Sequence, residues 1–179
     1  MQPFKEYLKE HLEQLRKSYV NATPEQRYRV ALDRLRYPNC GPNVLIHAIS
    51  TVEGLARALA LDLAQKNGEN VEEAYEKLRY PNAKKLIEEH ILPNLKETAE
   101  TFVDKEIWKN FCLAIEYRNL LVHECAFLRK GISNKLIKSA CIVLQKLCEI
   151  AGLPEKIKCS ENGIQVIDKK RSQRSTKDL

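Results

Sequence analysis

Apolar residues recur at steps of three and four along most of the chain as far as Gly152, which is the period of amphipathic helices. A helix that is apolar on most of its circumference lies inside a bundle, and two long segments, 42–68 and 97–127, have this character. The pattern therefore predicts an all-α helical bundle in residues 1–154. The predicted helices cover residues 3–19, 24–36, 42–68, 71–78, 82–92, 97–127 and 133–151.

Several helix boundaries have local signals. Thr23, Pro24 and Gln26 match an N-cap, a proline in the first turn and a capping box, and they predict a helix start. Pro93 predicts a helix end, and Gly131 predicts a break between the last two helices.

The pentapeptide LRYPN occurs twice, at Leu35–Asn39 and at Leu78–Asn82. One interpretation is a duplicated binding loop. The other is a helix stop at Tyr-Pro followed by an asparagine that caps the next helix. We favour the second interpretation, because the sequence around the two copies does not repeat.

After residue 154 the period changes from helical to alternating. Residues 155–168 alternate around Glu161-Asn162-Gly163, which predicts a short β-hairpin. Residues 169–179 have no apolar member before the terminal leucine, and they predict a disordered basic tail.

Charge changes this picture little. The chain has 179 residues, 30 Lys and Arg, 24 Asp and Glu, and a formal net charge of +6. Residues 168–179 carry five Lys or Arg and two Asp, which is half of the excess. Basicity therefore permits an RNA partner without arguing for one.

The cysteines and the apolar segments limit the class of protein. The six cysteines include no C-x-x-C pair, and they do not cluster with the four histidines, so we expect neither a metal site nor a cofactor. Free cysteines within apolar helical pattern are typical of a cytoplasmic protein. The amino terminus lacks the pattern of a secretion signal, and we expect no association with a membrane.

The most informative segment is the long helix that contains Arg118, Asn119 and His123. An arginine fork binds a phosphate through two hydrogen bonds, and histidine exchanges protons near neutral pH. Together they suffice for RNA cleavage without a metal. Asn119 and His123 are four residues apart and can touch, whereas Arg118 and His123 lie about 140° apart on an ideal helix.

The run Arg118-Asn119-Leu120-Leu121-Val122-His123 resembles the signature of the HEPN superfamily, in which an arginine and a polar residue precede a histidine near the end of a long helix. The helix over 42–68 resembles the second core helix of that family, and Glu53 matches its acidic position. The resemblance covers roughly residues 40–152.

The resemblance implies a helical bundle that forms a homodimer and brings two motifs into one cleft. It implies metal-independent endoribonuclease activity, often in toxin–antitoxin or antiphage systems, with an antitoxin or other regulatory protein as a partner. Arg118 would bind phosphate, His123 would transfer a proton, and Asn119 and Glu53 would support them. Cys125 stands where one branch of the family has a tyrosine that an antitoxin modifies, so that mode of regulation is not expected.

Other interpretations of these residues remain open at this stage. Arg118 and Glu53 can instead form a buried ion pair, which would leave an inactive module that binds RNA, a nucleotide or a partner protein. Arg27, Arg34 and His47 are candidate RNA-binding residues. For the two arginines, a solvated helix face that they share with Arg29 and Arg36 is the simpler interpretation.

Overall fold

The computed structural model describes residues 17, 20–33, 43–123, 130–160 and 163–167, and it confirms a helical bundle followed by a short hairpin. The predicted helix over 3–19, apart from Lys17, and the predicted tail at 169–179 lie outside the described residues. The elements are α1 (Pro24–Asp33), α2 (Asn43–Lys66), α3 (Val71–Leu78), α4 (Ala83–Lys85, Leu86–Ile91 and Leu92–Leu95), α5 (Ala99–Phe102), α6 (Lys105–His123), α7 (Lys130–Ile150), β1 (Lys156–Ser160) and β2 (Gly163–Ile167). Helix α4 is one continuous helix, in which the π-helical turn Leu86–Ile91 lies between two α-helical ends.

Helix α2 forms the centre of the bundle. It packs against α1, α3, α4, α6 and α7. The position predicted for the segment 42–68, inside the bundle, is confirmed, since Leu45, Ile49, Val52 and Leu55 are all fully buried. Each such side chain contributes about 1.5–3 kcal/mol through its removal from water. This burial fixes the helix that carries Glu53.

By length and composition alone, α2 is also apolar enough to cross a membrane, which the sequence pattern did not lead us to expect. Two-thirds (67%) of its most apolar window is buried inside the bundle. A central core helix has this combination of composition and burial.

Helix α1 begins as predicted. The Thr23 amide donates to Gln26 Oε1 at 2.8 Å, and the Gln26 amide donates to Thr23 Oγ1 at 3.3 Å, which completes the capping box. Leu32 and Tyr28 of α1 are buried against the core.

The second LRYPN copy acts as a helix stop and cap. Helix α3 ends at Leu78, and the Asn82 side chain accepts a hydrogen bond from the Lys85 amide at the start of α4, at 3.1 Å. This confirms the favoured interpretation for this copy, whereas the copy at 35–39 lies outside the described residues.

The expected end of α4 at Pro93 is wrong, because the helix continues to Leu95. Proline lacks an amide hydrogen and displaces the carbonyl group four residues earlier. The π-helical turn Leu86–Ile91 precedes Pro93 and widens the helix, which accommodates this irregularity.

The predicted helix over 97–127 is two helices. Val103 is extended between α5 and α6, and Asp104 Oδ1 accepts hydrogen bonds from the amides of Glu106 and Ile107 at 2.8 and 3.3 Å. This acidic cap competes with helix continuation, so the motif helix begins at Lys105. Residues 124–127 lie outside the described part of the chain.

The last helix begins earlier than predicted, at Lys130, and includes Gly131. Its end is as predicted: Gly152 has a left-handed φ of 67°, and the Leu153 amide donates to the Cys148 carbonyl at 2.9 Å.

The hairpin follows, with Lys156 opposite Ile167 and Ser160 opposite Gly163. Its Ile157 amide donates to Gln145 Oε1 at 2.8 Å, which attaches β1 to α7.

Candidate functional site

On helix α6, which carries the motif, the residues that precede Arg118 at helical spacing are buried. Phe111 is fully buried and Ile115 is 6% exposed, and Arg118 follows them at helical spacing. Trp108 packs on Phe111 with ring centroids 5.3 Å apart, which confirms that these aromatic residues belong to the core. Arg118 therefore lies where the bundle core meets the surface.

The guanidinium of Arg118 has one protein partner among the described residues. Its Nη1 donates to Asn119 Oδ1 at 3.0 Å. Its Nε is buried and has no hydrogen-bond partner. Asn119 thus orients the arginine, and the remaining donors lack the carboxylate that a structural arginine in such a position normally has.

Glu53 does not supply that carboxylate. Its Oε1 accepts from Arg57 Nη2 at 3.0 Å, and both side chains are about one-fifth exposed. Arg57 also donates to the carbonyl oxygens of Leu78 and Pro81 at 3.0 and 3.2 Å. Glu53 is therefore the partner of an arginine that joins α2 to the second LRYPN copy.

The backbone of α6 is helical through His123, so Asn119 and His123 share one helix face. The imidazole lies outside what the structure describes. Helix α6 is one continuous α-helix as far as His123, and ideal helical geometry places Arg118 and His123 about 140° apart around its axis.

The expectation that Arg27 binds RNA is wrong. Arg27 is 2% exposed, and its Nη2 forms an ion pair with Asp62 Oδ1 at 2.9 Å. Its Nη1 donates to the carbonyl oxygen of Ala22 at 2.9 Å, and Tyr28 donates its hydroxyl to Asp62 Oδ2. These contacts join α1 to α2 inside the bundle.

Of the two other candidate RNA-binding residues, His47 lies in the described part of the chain and Arg34 does not. His47 is half-buried near the start of α2, and its carbonyl oxygen accepts the Thr51 hydroxyl at 2.7 Å. Arg34 and Arg36 lie outside the described residues. Arg29 is exposed and paired with Glu25 at 2.8 Å, as expected of a solvated helix face.

The outer face of α6 includes an exposed apolar side chain. Leu113 is 40% exposed. Its neighbours Lys109 and Glu116 are exposed as well. The bundle therefore leaves an apolar side chain on the same helix as Arg118, uncovered by the described residues.

The chain matches no protein-family model, no curated protein and no solved structure. The function is therefore inferred from the chemistry of the residues themselves.

The described residues contain no group of three or more His, Cys, Asp or Glu side chains that could hold a metal ion. Burial, followed by the nearby charge of Glu155, raises the pKa of the Cys148 thiol to about 12. Burial also raises the pKa of Cys112 on α6. A raised pKa keeps these two thiols protonated at neutral pH, so neither is a ready nucleophile.

Two buried carboxylates were missed by the sequence reasoning. Asp62 stands within the apolar run ALALDLAQ, and a lone charge in such a run signals a buried partner. Glu155 is 6% exposed and lies between the end of α7 at Ile150 and the start of β1 at Lys156. It follows Pro154 and begins the segment predicted as a hairpin, so no sequence signal indicated its burial.

Proposed function

We propose that this protein is a metal-independent endoribonuclease of the HEPN type. The observation that supports it best is the state of Arg118: its guanidinium is half-buried, held by Asn119 and without a carboxylate partner among the described residues. An RNA phosphate supplies the acceptors that such an arginine lacks.

The proposed reaction needs no group from outside the chain and the RNA. His123 takes the proton of the ribose 2′-hydroxyl, and the 2′-oxygen forms a bond to the adjacent phosphorus. Arg118 stabilises the charge that develops on the phosphate oxygens. The bond from phosphorus to the 5′-oxygen breaks, that oxygen takes the proton from His123, and the products are a 2′,3′-cyclic phosphate and a 5′-hydroxyl.

A homodimer would solve the problem of the angle between Arg118 and His123. Two copies of α6 that face each other bring the arginine of one copy near the histidine of the other. The exposed Leu113 on α6 offers such an interface one apolar contact. In this proposal the protein is a cytoplasmic toxin, or an effector of antiphage defence or of a stress response. An antitoxin or another regulatory protein inhibits it.

A second candidate function is a catalytically inactive HEPN-fold module that binds RNA, a nucleotide or a partner protein. The ion pair between Glu53 and Arg57 favours this second function, because a Glu53 that is paired with Arg57 does not support Arg118 or His123. In this case Arg118 still binds a phosphate, but no bond breaks.

Cleavage by the full-length protein in EDTA is the direct test. We expect a labelled single-stranded RNA to be cut, with a 2′,3′-cyclic phosphate on the 5′ fragment, detected by mass spectrometry or by acid opening of the cycle. A substrate with 2′-deoxyribose at the cleaved position should resist. Retention of the RNA without any cut would favour the binding module instead, and neither binding nor cutting would reject both.

The variant Leu113→Lys tests the proposed interface. We expect it to shift the protein from dimer to monomer in sedimentation or light scattering, and to lower RNA cleavage in parallel, because a buried ammonium opposes association. Lys109→Ala is the matched control on the same helix, and we expect it to remain dimeric. If Leu113→Lys stays dimeric and active, the dimer uses another surface.

A further inference from the structure

A pocket of about 370 Å³ lies between α1, the second half of α2 and the end of α7. Its walls include the apolar side chains of Leu59 and Leu153 and the ring of Tyr28. This size is within the range of pockets that hold small molecules. None of the residues assigned to RNA cleavage line it.

The unusual feature of this pocket is Glu155. The residue lines the pocket, is only 6% exposed, and has one carboxylate oxygen, Oε2, that is buried without a hydrogen bond. It forms no ion pair with a described residue. A buried acceptor without a donor is costly, and more so when it belongs to a charged group, so Glu155 requires a donor from outside the described chain.

The other two carboxylates that line the pocket, Asp62 and Glu25, already have partners, and Glu25 pairs with Arg29. Asp62 accepts from Arg27 and from the Tyr28 hydroxyl, so its charge is neutralised within the bundle. The charge of Glu155 is therefore the one that a ligand would meet. Glu155 lines the pocket together with Ile150 and Ala151, which places it beside the end of α7.

The end of α7 adds to the negative potential. Residues Ile150, Ala151 and Gly152 line the pocket; Ile150 is the last residue of a 21-residue helix, and the other two follow it. The capping bonds of this turn use the carbonyl oxygens of Leu147, Cys148 and Glu149. The helix dipole favours a cation at this position, and the later carbonyl groups are acceptors for it.

The mouth of the pocket has the opposite character. Lys66 lines it and is exposed, and Arg29 lines it while paired with Glu25. The buried part is thus anionic and the exposed part is cationic. A short molecule with an ammonium group at one end fits this arrangement, and an anionic group at its other end would meet Lys66.

We propose that this pocket binds a small organic compound through a primary ammonium group, which donates hydrogen bonds to Glu155. The ammonium supplies three donors in a compact volume, which suits a carboxylate with unmet acceptors and adjacent carbonyl groups. The apolar side chains of Leu59 and Leu153 cover the alkyl part of the ligand. The site is independent of the proposed RNA cleavage, and either can fail without the other.

Calorimetric titration of the full-length protein with n-butylammonium and with 4-aminobutanoate tests the proposal. We expect at least one of the two to bind the wild type, and Glu155→Gln to weaken that binding at least about ten-fold, the usual effect of losing a charged hydrogen-bond partner. Tighter binding of 4-aminobutanoate would identify a ligand whose anionic end contacts Lys66, and tighter binding of n-butylammonium a simple cation. Glu89→Gln, an exposed carboxylate on α4, is the matched control and should bind like the wild type.

The proposal would be overturned by no binding of either ammonium compound, by equal binding to Glu155→Gln, or by equal binding of potassium ions in place of the ammonium. If Glu155→Gln does not fold, the wild type alone decides. The neutral analogue 1-butanol fills the same apolar space without a charge, so equal binding of 1-butanol and n-butylammonium would also reject the site.

Discussion

Replacing Arg118 by alanine is expected to lower RNA cleavage by about 100-fold or more and to change the stability of the protein little. The loss of rate follows from the loss of the cation that stabilises charge on the phosphate. Stability should persist because Arg118 bonds only Asn119 among the described residues, so that its removal strands no buried carboxylate. The measurements are single-turnover cleavage rates and thermal unfolding of the same samples.

The matched controls separate the role of the guanidinium from that of charge in general. Arg29→Ala removes an exposed arginine whose partner is Glu25, and it should cleave like the wild type. Arg118→Lys keeps the charge but loses the paired donors, so it should recover only part of the rate. A large fall in melting temperature for Arg118→Ala, with a normal rate per folded molecule, would show that the arginine is structural.

The companion variant His123→Ala should lose at least about 100-fold in rate, as expected for a general acid or base. If the working pair is formed across a dimer, mixing Arg118→Ala with His123→Ala restores activity, because one of the two sites in the mixed dimer is intact. Absence of recovery after subunit exchange would place the pair within one chain.

Periodicity was sufficient to predict most of the helices that the structure describes, because burial on one side of a helix repeats every three to four residues. Leu45 and Phe111, which lie in the two segments predicted to be inside the bundle, are both fully buried. Local competition caused the errors at helix boundaries. Asp104 accepts hydrogen bonds from two backbone amides that would bond to carbonyl groups in a continuous helix. The π-helical turn allows the helix to continue beyond Pro93.

The partners of polar residues were harder to predict than their positions. A helical wheel places Arg118 on the buried side of α6, and the structure agrees, but it does not tell which carboxylate comes near. Glu53 pairs with Arg57 because that arginine also reaches the carbonyl oxygens of the loop after α3. Arg27 looked like a surface residue since its partner Asp62 is 35 residues away in sequence. Such pairs depend on how helices pack, which a single sequence does not encode locally.

The largest effect on stability is expected at that buried pair. Asp62→Ala should lower the free energy of unfolding by roughly 3–5 kcal/mol, since it leaves the buried guanidinium of Arg27 without its counter-charge. Arg27 and Asp62 are 2% and 4% exposed, so water cannot replace the lost carboxylate without opening the bundle. For a chain of this length we expect a fall in melting temperature of about 6–20 °C.

Chemical denaturation of Asp62→Ala beside two comparison variants tests the origin of this loss. Glu25→Ala breaks the exposed pair with Arg29, and it should cost no more than about 1 kcal/mol. The double variant Arg27→Met with Asp62→Leu removes both charges together, and it should recover much of the stability, because no unpaired ion stays in the core. If the double variant is as unstable as Asp62→Ala, the loss of stability comes from packing and from the Tyr28 hydrogen bond. If Asp62→Ala is as stable as the wild type, Arg27 reaches solvent or another acceptor in that variant. The outcome therefore separates the electrostatic contribution of this pair from the packing of α1 on α2.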